Sequence, residues 1–208
     1  MKTQNKVLMR EAREVLNGKW IEGVKVTLLY FLISILVRFI PKIGWLVSLV
    51  IAGPFIVGLY GFWLSFSRNQ NPRIARIFDE FKKWWRGFFA YFLILIYTFL
   101  WTLLFIIPGV IASFSYSMTY YILAEDHTIK INDAINKSKK IMKGNKWKLF
   151  FLELRFLGWL LLCIPTLGIG LLWLIPYINV TTAKFYDDIK EQNVPTPNIP
   201  QSVPVPVA

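Results

Sequence analysis

Apolar runs of about twenty residues alternate along this chain with short basic segments. Trp20 to Ile40 and Ile43 to Phe66 are each long enough, at about 1.5 Å per residue, to cross the roughly 30 Å of a bilayer's hydrocarbon as a helix. A third run covers Phe88 to Ile107. Pro108 and Gly109 divide it from a fourth, Val110 to Ala124, which carries Ser113, Ser115, Ser117 and Thr119. The last apolar region breaks at the turn-forming PTLGIG of residues 165–170 into Trp147 to Ile164 and Leu167 to Phe185. The pattern therefore predicts an all-α integral membrane protein with about six transmembrane helices in three hairpins. A rival reading makes the shorter spans, four to six, re-entrant.

The basic segments have a pattern of their own. Ile74, Ile77, Phe78, Phe81, Trp84 and Trp85 recur at helical spacing, as do Ile131, Ala134, Ile135, Ser138, Ile141 and Met142; Leu8, Ala12, Val15 and Leu16 form a shorter stripe. An apolar stripe opposed by lysines predicts a cytoplasmic amphipathic helix lying in the membrane interface before each hairpin. Gly18 and Gly144 stand where such helices end and the chain turns into the bilayer, because glycine takes the left-handed C-cap conformation without a Cβ clash. In the second segment Gly87 follows the tryptophans, so the register differs there. Trp20, Trp84 and Trp147 mark the headgroup level and recur at intervals of about 64 and 63 residues, which predicts a threefold internal repeat. The expected units are a cytoplasmic amphipathic segment 1–19, hairpin 20–66, basic interfacial helix 67–87, hairpin 88–124, basic interfacial helix 125–146, hairpin 147–186 and a proline-rich tail 187–208 that reads as extended and disordered.

Charge sets the orientation. Of the 24 Lys and Arg, set against 12 Asp and Glu, most lie in the N-terminal segment and the two basic segments, whereas the opposite connections hold Arg38 and Lys42. Positive loops stay in the cytoplasm, so both termini are expected on the cytoplasmic side of a cell membrane. With 55% hydrophobic and 17% aromatic residues, and a mean hydropathy of +0.47, the chain calls for a bilayer as its solvent. Its basicity points to anionic phospholipid headgroups and not to nucleic acid, because its aromatics lie inside the apolar runs instead of among the lysines. The expected lipid contacts are Lys19, Trp20, Lys82, Lys83, Trp84, Lys137, Lys139, Lys140, Lys143, Lys146 and Trp147. The first apolar run lacks a small-residue cleavage signal and is expected to be retained.

The residues PGVIASFSYSMTYYILAED, AINKSKKIMKGNKWKLFFLEL, FLGW, LGIGLLWLIPY and TTAKFY carry a resemblance to an uncharacterised family of bacterial multi-pass membrane proteins, domain of unknown function number 975. The resemblance implies the multi-pass topology and brings no activity, substrate or cofactor. Arg155 departs from it, standing where a small polar residue is expected.

Four side chains form a candidate intramembrane polar site: Ser113, Ser117, Glu153 and Arg155. Glu153 and Arg155 lie six and eight residues beyond Trp147, roughly 9 and 12 Å into the bilayer, where charge is costly. The bland reading has Arg155 snorkelling to headgroups and Glu153 meeting Lys148 or a neighbouring hairpin; the small hydroxyls then serve helix packing. Glu22 and Lys25, three apart, are expected to pair locally. Chemistry finds little footing. His127 is the only histidine and Cys163 the only cysteine, which excludes a His-rich metal centre, an intramolecular disulfide and a Cys-based metal site. No phosphate-binding loop or HExxH motif occurs, so no catalytic residue, metal or cofactor is assigned. The sequence thus predicts a non-catalytic membrane scaffold or accessory subunit that binds anionic lipid and a membrane-protein partner or a second copy of itself. The alternative is a small-solute conduit built around the polar site.

Overall fold

The apolar runs fold as helices in a computed structural model that describes residues 3–40 and 43–193. Lys2, Lys42 and most of the proline-rich tail, on which parts of the orientation and tail readings rest, lie outside the described residues. In chain order the elements are α1 (Asn5–Leu16), α2 (Trp20–Arg38), α3 (Gly44–Ser67), a 3₁₀ segment (Ile74–Lys83), α4 (Trp84–Leu104), α5 (Ile106–Tyr116), α6 (Thr119–Glu125), α7 (Ile131–Met142), α8 (Lys146–Leu162) and α9 (Leu171–Glu191). The described residues include no strand. Among the described residues, four helical stretches are long and apolar enough to cross a membrane: Trp20–Arg38, Gly44–Ser67, Ile74–Leu104 and Ile106–Glu125. The two remaining long helices differ: α8 has 17 residues, and α9 carries Lys184, Asp187, Asp188, Lys190 and Glu191 towards its end.

Helix α3 is the centre of the packing, touching the 3₁₀ segment, α4, α6 and α9, while α1 lies along α9. The core gathers at one end, around Phe62, Phe66, Met118, Tyr121, Phe185 and Tyr186, with Tyr121 stacked on Tyr186 at 5.2 Å between ring centres. At the other end the apolar side chains stand uncovered. Phe39, Trp45, Leu103, Ile106, Ile107 and Leu167 are more than two-thirds exposed, an arrangement that suits lipid and would be costly in water. Close helix approach depends on glycine. A Cβ on Gly53 would fall 2.2 Å from the Gly87 carbonyl oxygen, and one on Gly58 only 1.9 Å from that of Ile77.

Several sequence readings are corrected here. The stripes of α1 and α7 are apolar as expected, but Leu8, Ala12, Leu16, Ala134, Ile135, Ile141 and Met142 are buried against protein and do not face lipid. Periodicity reports that a face is apolar and is silent on what covers it. The second segment is a 3₁₀ helix over Ile74–Lys83 instead of an α-helix, and at about three residues per turn its expected stripe cannot align; only Ile77 and Glu80 are buried. Gly87 sits inside α4 as a packing glycine, not a cap. The break after α4 falls at Phe105, with extended backbone at φ −160° and ψ 147°, whereas Pro108 and Gly109 lie within α5. Proline is tolerated in a first helical turn, whose N–H groups lack intrahelical partners. The fourth apolar run is itself divided between α5 and α6 at Ser117–Met118. Gly18 and Gly144 do adopt positive φ, 75° and 80°, at the ends of α1 and α7.

Candidate functional site

Charged groups collect where the helices end beside the packed core. Arg68, one residue past α3, donates from Nη2 to Asp187 Oδ1 at 2.6 Å on α9 and to Glu125 Oε1 at 2.7 Å at the close of α6. Its Nε lies 3.2 Å from both Asp187 oxygens. The other oxygen of Glu125 accepts from Tyr186 at 2.8 Å and from Lys190 at 2.6 Å. Two cations, two carboxylates and one phenol thus tie α3, α6 and α9 together with no net charge, the condition under which burying ions is tolerable. The hydrogen bond to Asp187 raises the Arg68 pKa above its ordinary value; burial opposes the rise and Glu125 reinforces it.

Beside this network, Lys148 at the start of α8 pairs with Asp188 of α9; their side chains are only 11% and 12% exposed. Asp188 also accepts from the Thr3 hydroxyl, and Asn5 donates to the Lys148 carbonyl at 2.8 Å. Arg86 of α4 donates to the carbonyls of Leu123 at 3.0 Å and Ile129 at 3.4 Å, and His127 lies 3.0 Å from the buried Glu80. Sequence reasoning assigned none of these pairings. It missed the network because the partners of Arg68 lie 57 and 119 residues away, beyond any local pattern.

The other lysines of the third basic segment behave differently. Lys137, Lys139, Lys140 and Lys143 are exposed, and among the described residues neither they nor Lys146 form an ion pair. Lys139 lies over the Tyr116 ring at 5.4 Å. Of the remaining expected lipid contacts, Lys19 donates to Asn69 at 3.3 Å, Lys82 pairs with Asp79 at 3.1 Å, Lys83 is exposed, Trp20 is half-buried and Trp84 stacks on Trp85 at 4.0 Å. Trp147 is 71% exposed. Glu22 and Lys25 pair at 2.8 Å, as expected.

The candidate intramembrane site is not assembled. Ser113 donates to the Val110 carbonyl and Ser117 to that of Phe114, both at 2.8 Å, so each hydroxyl is satisfied within its own turn. Glu153 and Arg155 are exposed on α8, and Lys148, the expected neighbour of Glu153, is taken by Asp188. The serine that does join helices is Ser138 of α7, which donates to the Ser115 carbonyl at 2.8 Å.

An all-helical chain with four helices fit to span a bilayer, much of whose apolar surface is left uncovered, suggests a membrane protein. The family described as "Protein of unknown function (DUF975)" matches it over residues 102–193. That stretch runs from the end of α4 through α9 and holds Glu125, Lys148, Asp187, Asp188 and all the α7 lysines. No curated protein and no solved structure matches the chain.

Proposed function

We propose that this chain is a non-catalytic scaffold or accessory subunit of a bacterial cytoplasmic membrane, binding anionic lipid headgroups through its basic face and a partner protein beside it. The observation that carries the reading is the division of its charges. Arg68, Lys148 and Lys190 occupy the acids Glu125, Asp187 and Asp188, whereas Lys137, Lys139, Lys140 and Lys143 are left to whatever lies outside the fold. Exposed cations without an acidic partner among the described residues fit an anionic bilayer face, where each is worth about 1 kcal/mol.

The same contacts support six spans in three hairpins, and the basic segments gathered at the end where those contacts lie favour the cytoplasm for it. Thr3, Arg68, Glu125, Lys148, Asp187 and Asp188 meet at one end, so the chain leaves and returns between residues 3 and 68, 68 and 125, and 148 and 188. Three out-and-back paths, each preceded by a short basic segment, also fit the threefold repeat. The conduit alternative draws no support from Ser113 and Ser117, whose hydroxyls are turned to their own backbone. Cysteine labelling in intact cells tests the topology. With Cys163 replaced by serine, cysteines at Asn71 and Asn136 should resist an impermeant thiol reagent and one at Ile43 should react; labelling of Asn136 from outside overturns the orientation.

A further inference from the structure

A groove of about 750 Å³ runs between α5 and α8, closed at one end by the last turn of α7. Its walls are apolar: Ile107, Val110 and Ile111 on α5 face Phe150 on α8, and the three α5 residues are 48–73% exposed. Its cations gather at one end. Lys139 sits by Tyr116, where α5 finishes, and Lys143 and Lys146 flank the turn that opens α8. From Tyr116 back to Ile107 the helix descends about 14 Å, so the groove passes from a cationic mouth to a wholly apolar floor. No carboxylate lines it, and none of the three lysines has an ion-pair partner among the described residues.

That gradient selects its occupant. A neutral lipid would leave three ammonium groups at the groove without a counter-ion, and a soluble anion would leave the walls unfilled. A molecule with a phosphate at one end and a long apolar chain at the other meets both demands. We propose that the groove holds one anionic diacyl phospholipid, its phosphate among Lys139, Lys143 and Lys146 and an acyl chain along Val110 and Ile111. The proposal rests on the membrane reading above and adds a single, stoichiometric site to a general basic surface.

Native mass spectrometry of the full chain in neutral detergent, titrated with phosphatidylglycerol or phosphatidylcholine of matched acyl chains, tests it. One phosphatidylglycerol should be retained per chain in preference to phosphatidylcholine. K139Q/K143Q/K146Q should weaken that binding by ~tenfold or more. The charge-matched K130Q/K137Q/K140Q, altering lysines outside the groove, should change it less than ~twofold. Ile111→Trp, which fills the groove without altering charge, should also weaken it; should that variant fail to fold, the two triple variants decide alone. Equal loss in both triples, equal affinity for the two lipids, or competition by inorganic phosphate as effective as by the lipid would each overturn the site. Release of the chain from membranes by alkaline carbonate would instead sink the membrane reading, whereas a chain that stays in the bilayer and binds both lipids alike loses only the groove.

Discussion

Lys148 and Lys143 stand five residues apart in one basic segment and meet opposite fates. Lys148 is drawn into the fold, paired with Asp188 and nearly covered; Lys143 stays exposed at the mouth of an apolar groove with no ion-pair partner among the described residues. Sequence gives them the same residue type and the same charge. The packing of α8 on α9 separates them, placing one against a carboxylate and the other against the surroundings. A basic block in a membrane chain is thus not a uniform lipid-binding surface, because some of its charges hold the helices together.

The sharpest way to break the fastened side is Arg68→Ala. It strips Asp187 of its cation and leaves Glu125 with Lys190 as its remaining cation, so unfolding in detergent should become easier by about 3 kcal/mol, the range for half of a largely buried pair. A loss under about 0.5 kcal/mol would mean that the network is ornament. Next comes packing, where Gly58 and Gly158 form a matched contrast. Gly58→Ala drives a methyl against the Ile77 carbonyl and should cost about 2 kcal/mol. Gly158→Ala meets nothing within 4 Å and should be neutral, or stabilising by up to about 1 kcal/mol through helix propensity. Equal effects at the two glycines would show that α3 is not pressed against the 3₁₀ segment. Smallest of all should be Lys140→Gln, on the open side, which is expected to shift stability by less than about 0.5 kcal/mol in neutral detergent, read by the same unfolding curve.

What the sequence disclosed and what it withheld follow from the range of the forces involved. Helices α2 and α3 were legible because long apolar runs flanked by charge and turn residues act locally, and positive φ at Gly18 and Gly144 followed from the need for a left-handed cap. The split at Ser117–Met118 was not legible, since α5 and α6 part within an unbroken apolar stretch. Nor was the 3₁₀ form of Ile74–Lys83, which the helical spacing of its apolar residues did not signal. Of the site, the α7 lysines could be picked out by charge alone. The role of Lys148 could not be, because Asp188 is 40 residues away, and Ser115 gave no signal of the interhelix bond its carbonyl accepts.

The division of labour within that one basic segment is tested most directly by comparing Lys148→Gln and Lys143→Gln in thermal unfolding, each in neutral detergent and again with phosphatidylglycerol added. Lys148→Gln should lower the midpoint by roughly 4–8 °C in neutral detergent, from a loss of about 2 kcal/mol in a chain of this size, and should keep the full stabilisation by lipid. Lys143→Gln should match the parent protein in neutral detergent and lose part of the lipid effect. If the two variants behave alike, or if Lys143→Gln is the one that weakens the lipid-free protein, the separation of fastening charges from lipid-facing charges is contradicted.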